Sequence, residues 1–270
     1  MKKSQVILLI AAVVAIVALY LLPRVVVDNE EGGQMVGETS NASPVEEMHE
    51  TPVSEEQKVA LGSLQLRLQG EENREKFAAL SDTLASLYAQ IGKFDSAAFV
   101  LEAAAEKLAT VERWEKAGIA FYDAYSFAMS EQKVALMADK TRSYLNKVLE
   151  KDPKRLDLKT KVAMTYVSSA NPMQGITMLR EVLEEDPTNE QGLFNMGVLS
   201  MQSGQYKRAA ERFEELVRYH PDNIQGQFYL GVSYFESKQN NKAKKQFQTV
   251  KSMTQDPTIL ASAESYLERL

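Results

Sequence analysis

The side chains that could hold a proton, a metal or a nucleophile at fixed spacing are few in these 270 residues. There are two histidines, His49 and His220, and no cysteine. His49 stands beside Glu46, Glu47 and Glu50, but that run is acidic and unpatterned, so it reads as a solvated linker rather than a metal site. His220 directly precedes Pro221 with no second ligand near it in sequence, which fits a loop residue better than a zinc site. The chain lacks G-x-x-x-x-G-K, G-x-G-x-x-G, H-E-x-x-H and the strained serine turn of hydrolases. Acidic runs such as Glu184, Glu185 and Asp186 fall where a helix should end, and a solvated face is their default. Without Cys, disulfides, thiolate zinc sites, lipid attachment at Cys and Cys nucleophiles are excluded. A net charge of −6 with no basic face excludes a nucleic-acid binder. The expectation is a chain that binds rather than catalyses, with no cofactor and no metal.

The elements that would position a binding surface show in the stretch from Glu190 to Asn223. Leu193, Met196, Gly197 and Ser200 fall at i, i+3, i+4 and i+7, one face of a helix. Ala209, Phe213 and Leu216 do the same on a second helix, with Gly204 as the break between them. Small residues at Gly197 and Ala209 let the two backbones approach, and Phe213 fills the space beside them. Pro221 stops the second helix. Pro153, Pro187 and Pro221 recur at a constant interval of 34 residues (187−153 and 221−187). Counted from Glu190 as position 1, the fixed positions are those of W-x2-L-G-x2-Y, A-x3-F and P. The chain therefore resembles the tetratricopeptide repeat family, which implies an all-α solenoid of stacked helical hairpins.

The remaining repeats follow in register. Leu84, Ala85, Tyr88, Gly92, Ala97, Leu101 and Ala104 mark a first unit at 78–110, and Val162, Ala163 and Tyr166 mark a third at 156–189. Pro172 fits the first turn of that unit's second helix, where a missing N–H is harmless. Leu230, Gly231, Tyr234, Ala243, Phe247 and Val250 mark a fifth at 224–257. Ser54–Gln69 reads as a lead-in helix opened by a capping box with Gln57, within a capping segment at 54–77. The segment 258–270 reads as a closing helix. The second unit, 111–155, is longer than the others: Trp114, Ala117, Gly118 and Phe121 fix its start, yet its Pro comes at 153 instead of 142. Eleven surplus residues are close to a whole number of helical turns, so both helices can lengthen without turning their buried stripes. The extra turns carry Tyr122, Tyr125, Phe127 and Met129. These either pack on the next hairpin or project as a docking and self-association tip.

Two segments precede the repeats. Val6–Leu22 is apolar without a charge and at about 1.5 Å per residue spans about 26 Å, long enough for a single transmembrane helix within an anchor at 1–27. Lys2 and Lys3 before it, against Arg24 after it, place the N-terminus in the cytoplasm and the repeats outside, in the periplasm of a Gram-negative cell. A cleaved signal is the alternative, although Tyr20, Leu21 and Leu22 stand where small residues should precede a cut. Residues 28–53 carry seven acids (Asp28, Glu30, Glu31, Glu38, Glu46, Glu47, Glu50), no Lys or Arg and no apolar period, and read as a flexible acidic tether.

The family resemblance implies a groove lined by the first helix of each hairpin. Its register selects Phe194, Val198 and Met201 in the fourth unit and Phe228, Val232 and Phe235 in the fifth, with Gln191 and Gln225 at the polar margin. Phe194 and Phe228 occupy the position where the family's carboxylate clamp needs Lys, so a chaperone-tail receptor is not implied. An extended peptide or amphipathic helix with apolar anchors fits this row better. The same residues could instead serve only to pack one first helix on the next. The functional expectation is a membrane-anchored scaffold for a protein partner in envelope assembly. A soluble extracytoplasmic binding module and a self-associating structural protein are the alternatives.

Overall fold

The computed structural model describes residues 53–270; the anchor segment and nearly all of the acidic tether lie outside the described residues. Twelve helices follow one another there: α1 (Glu55–Gln69), α2 (Arg74–Gln90), α3 (Phe94–Lys107), α4 (Val111–Ser126), α5 (Glu131–Leu149) and α6 (Leu156–Val167). Then come α7 (Pro172–Glu185), α8 (Glu190–Gln202), α9 (Tyr206–Tyr219), α10 (Ile224–Glu236), α11 (Asn240–Met253) and α12 (Pro257–Glu268). Helices α2 to α11 pair into five antiparallel hairpins, with α1 and α12 covering the two ends.

Local chemistry sets the boundaries. Ser54 accepts from the Gln57 N–H while Gln57 bonds back to the Ser54 N–H, a complete capping box. Asn73, Thr110, Ser130, Asn189, Asn223 and Asp256 cap six further helices through their side chains. Pro172 takes the first position of α7. Pro257, counted in the sequence as the end of the fifth unit, instead opens α12, where its missing N–H has no helical partner to lose. Gly92 and Gly204 take positive φ in the hairpin turns, and Lys238 does the same in the last one.

Within each hairpin the backbones approach through a small residue. A methyl group built on Gly197 would lie 2.6 Å from the Phe213 ring, and one on Gly231 would lie 2.8 Å from the Phe247 ring. Both rings are fully buried, as are Leu193, Ala209, Leu216, Ala243 and Val250 around them. The long second hairpin buries Ala117, Phe121, Met137, Thr141, Leu145 and Val148 along one seam. Its surplus lies mainly in the helices: α4 has 16 residues against 13 in α8, and α5 has 19 against 14 in α9.

Arg155, in the loop after that hairpin, ties it to the third. Its guanidinium donates to Glu115 of α4 at 2.6 and 3.0 Å and to Asp157 of α6 at 2.8 and 3.0 Å. The bonds from Arg155 hold the Asp157 carboxyl below the usual carboxylate range. A folded-state pKa below the unfolded one adds stability that is present above the unfolded value, about 4, and is lost as pH falls through the lower folded value. The melting-temperature advantage of the native chain over Arg155→Gln should therefore hold at neutral pH and shrink below about pH 4. A gap that widens with acid would contradict this.

Gly197→Val should destabilise by about 1–3 kcal/mol, because the ring of Phe213 cannot withdraw from a packed site. Urea unfolding followed by circular dichroism measures it.

Candidate functional site: the face of the first helices

In the fourth and fifth hairpins the residues singled out by register come together, but mostly with their own core. Val232 is buried. Phe194, Val198, Met201, Phe228 and Phe235 are half-buried and pack on the buried cluster beneath them. Phe194 meets Phe213 edge-on at 6.0 Å and Tyr229 at 5.7 Å. Phe228 meets Tyr229, Phe247 and Tyr266 at 5.8, 5.9 and 6.0 Å. Phe235 meets Tyr266 at 5.2 Å, and the Arg269 guanidinium lies 4.7 Å from the Phe235 ring centre. The outcome is a lattice of rings in which Tyr229 and the closing-helix residue Tyr266 are the keystones. What reaches solvent is the outer edges of these rings, flanked by exposed Gln191 and Gln225.

The four tip residues divide into two pairs. Tyr122 and Tyr125 lie on α4 and pack toward the third hairpin. The Tyr125 hydroxyl is 3.1 Å from the Met164 carbonyl, to which it donates, and 2.6 Å from Ser168 Oγ. The Lys161 ammonium lies 4.6 Å from the Tyr122 ring centre, and burial pushes the Tyr122 hydroxyl up to about 12. Phe127 and Met129 fall beyond the end of α4, in the turn, and are 48% and 52% exposed. Sequence periodicity carries Met129 along the α4 stripe. The helix stops earlier because the turn is fixed by Ser130, which caps α5, and by Phe127, which stacks on Phe94 at 4.3 Å.

An open groove lies elsewhere, between α2 and α4 over α3, and sequence reasoning did not single it out. It has a volume of about 340 Å³. Ala85, Ala89, Ala97, Leu101, Ile119 and Ala120 make its apolar lining, with Phe94 at one end and Asp82, Ser86, Lys116 and Asp123 around it. The available signal was the family register, which singles out groove residues above only in the fourth and fifth units. Extended to the first two, it includes Asp82, Ser86 and Ala89, short residues that leave the space unfilled, and Ile119 and Asp123 on the facing helix. Asp82 is saturated: Arg113 donates to it at 2.6 Å and Lys116 at 2.7 Å. Lys116 also holds Glu112 at 3.0 Å, and these carboxylates raise its pKa. Among the described residues no side chain forms a hydrogen bond or ion pair with Asp123. Asp123 is exposed at the rim; neighbouring atoms raise its carboxyl above the usual value by partial desolvation, opposed by the charge of Lys161.

His220 has a structural setting, with Nε2 2.7 Å from the Thr188 carbonyl oxygen, tying two successive hairpin ends. Among the described residues there is no cluster of His, Asp and Glu able to hold a metal, and no helix long and apolar enough to cross a membrane.

These hairpins, with small residues facing buried rings and a row of first helices along one face, make a solenoid of tetratricopeptide type. The tetratricopeptide repeat family model matches residues 200–265, within the fourth and fifth hairpins and α12. A tetratricopeptide repeat protein from Parabacteroides merdae has the same fold, with a TM-score of 0.58 at 15% identity over 79% of each chain. MamA residues 41-end from Desulfovibrio magneticus match at a TM-score of 0.49 and 16% identity, over 66% of this chain and 97% of that one. YrrB, described as a TPR protein with an unusual peptide-binding site, matches at 0.45 and 15% identity, over 76% and 99%. No curated protein matches the sequence at a significant level.

The ring lattice and the exposed turn should respond differently to truncation. Phe228→Ala should lower stability by about 3 kcal/mol, since three neighbouring rings lose a partner. Met129→Ser should stay within about 0.5 kcal/mol of the native chain. Chemical unfolding of the two variants side by side checks both.

Proposed function

We propose that the protein is a non-catalytic scaffold that binds a protein partner along the face of its first helices and is held at a membrane by Val6–Leu22. The observation that carries the reading is that this face keeps apolar surface in reach of solvent at both ends: an open groove over α3, and the ring edges of Phe194, Phe228 and Phe235. Met201 adds an adaptable side chain to that row. The apolar run, its basic leader and the acidic tether support a single-pass inner-membrane protein with the repeats outside the cytoplasm, placed for assembly of an envelope complex.

The test must spare the core, because removing a ring destabilises the fold. Gln191→Trp with Gln225→Trp adds bulk at the exposed margin and takes nothing from the lattice. Affinity capture from detergent-solubilised membranes should lose its partner at least about tenfold with this pair, at an unchanged melting temperature. Capture that survives would remove the C-terminal half of the face from the reading. Protease added to spheroplasts should digest the repeats, and full protection would refute the topology.

A second reading, self-association through the long hairpin, is favoured by the exposure of Phe127 and Met129 at its turn. It requires a concentration-dependent oligomer in sedimentation that Met129→Ser abolishes.

A further inference from the structure

The open groove between α2 and α4 offers a ligand a ready, largely apolar space instead of side chains that already fill it. Its lining is mainly Ala on three helices, with Leu101 and Ile119 as the larger members. Ala97 and Ala120 are buried, so the floor is held by the hairpin cores and need not move to admit a side chain. One end is Phe94, whose ring is backed face to face by Phe127 of the long hairpin. The volume, about 340 Å³, suits one or two large apolar side chains rather than a helix laid along its length.

The charges around this space are unequal in what they can offer. Asp82 is taken by Arg113 and Lys116, and Lys116 is further held by Glu112. Neither of those cations is free to receive an anion. Asp123 is the remaining charged group on the lining, exposed at the rim of the groove; Lys161 acts on it through its charge, but no side chain among the described residues forms a hydrogen bond or ion pair with it. An acidic ligand would meet Asp123 as a like charge and find Arg113 and Lys116 occupied. A basic one would supply what Asp123 lacks.

We propose that this groove binds a polypeptide segment that presents a large apolar side chain next to a Lys or Arg, the apolar group lying over Ala85, Ala89 and Leu101 and the cation pairing with Asp123. The proposal rests on the partner-binding reading above and gives its N-terminal half a ligand class. It is opposite in charge to a carboxylate-binding site, and it is separate from the ring edges of the fourth and fifth hairpins.

The experiment uses the full chain in detergent and two fluorescein-labelled nine-residue peptides, Gly-Ser-Gly-Leu-Lys-Phe-Gly-Ser-Gly and the same sequence with Glu for Lys. Fluorescence anisotropy at low salt should show the Lys peptide binding at least about tenfold tighter than the Glu peptide. Asp123→Asn should erase that preference. Ala89→Trp, a change at an exposed position that fills the groove, should abolish binding of the Lys peptide while the melting temperature holds. The Gln191→Trp, Gln225→Trp pair should leave peptide binding unchanged. Equal binding of the two peptides, or binding indifferent to Ala89→Trp, overturns the proposal. If the peptides fail but capture of the native partner is still lost with Ala89→Trp, the ligand class is wrong and the scaffold reading stands. If native capture is indifferent to Ala89→Trp and to the Gln pair alike, the scaffold reading falls with it.

Discussion

The fold depends on how closely the two helices of each hairpin can approach. In the fourth and fifth hairpins that distance is set by Gly197 against Phe213 and by Gly231 against Phe247, contacts that leave no room for even a methyl group. Such a ring, buried between two helices, stacks face to face on a tyrosine of the element that follows its hairpin: Phe213 on Tyr229 of α10 and Phe247 on Tyr266 of α12. Phe194 and Phe228 meet the same two rings in edge-type contacts, and the lattice closes. In the first hairpin the same two positions are Ala85 and Leu101. A branched aliphatic side chain has no ring on which a neighbouring tyrosine can stack, so the space above it stays open, and both residues line the groove. The ring lattice at the fourth and fifth hairpins and the open space over the first thus differ in one pair of residues in each of those hairpins.

The opposite side is tied by a recurrent polar trio. Glu102 of α3 accepts from Lys140 Nζ at 2.7 Å and from the Tyr144 hydroxyl at 2.9 Å, both on α5. Glu214 of α9 is bonded to Tyr234 of α10 and lies 3.3 Å from Lys242 Nζ of α11. In each, burial and the adjacent carboxylate push the phenol well above its ordinary pKa, so it stays a donor throughout the neutral range. The carboxylate is satisfied by one neutral and one charged donor, which fixes successive hairpins in register at low desolvation cost. Asp123 has no equivalent, and this marks it as unlike the structural acids.

What the sequence could show is what depends on single residues at fixed spacing. The 34-residue interval of Pro153, Pro187 and Pro221, the Gly204 turn and the Ser54 capping box each act within one turn of chain, so the hairpins were legible. The surplus in the second hairpin was legible as length but not as placement. Periodicity alone continues α4 through Met129, whereas the stacking of Phe127 on Phe94, a contact across 33 residues of sequence, ends it at Ser126. Pro257 misled for a related reason: a Pro that ends one helix and a Pro that starts the next are alike until Asp256 is seen to cap α12. The groove was missed because an unfilled space is written in residues that are absent, and Ala at Ala85, Ala89, Ala97 and Ala120 reads as ordinary helix.

These differences bear on where recognition is cheapest. To engage the fourth and fifth hairpins, a partner must settle on ring edges that already have neighbours, and any deeper contact requires Phe228 or Phe235 to leave Tyr266. Such movement trades one buried contact for another, so the net gain is small even where the area is large. Over α3 the lining is fixed and nothing has to be displaced but water, and a side chain entering there gains its full transfer free energy, roughly 25 cal/mol per Å² of apolar surface. Preformed space therefore favours the first two hairpins as the anchor point and the ring row as a broad, weaker contact. The long hairpin then has a second use: through Phe127 it holds Phe94 in place, so an element that looks like a docking tip in the sequence also serves as the end wall of the groove.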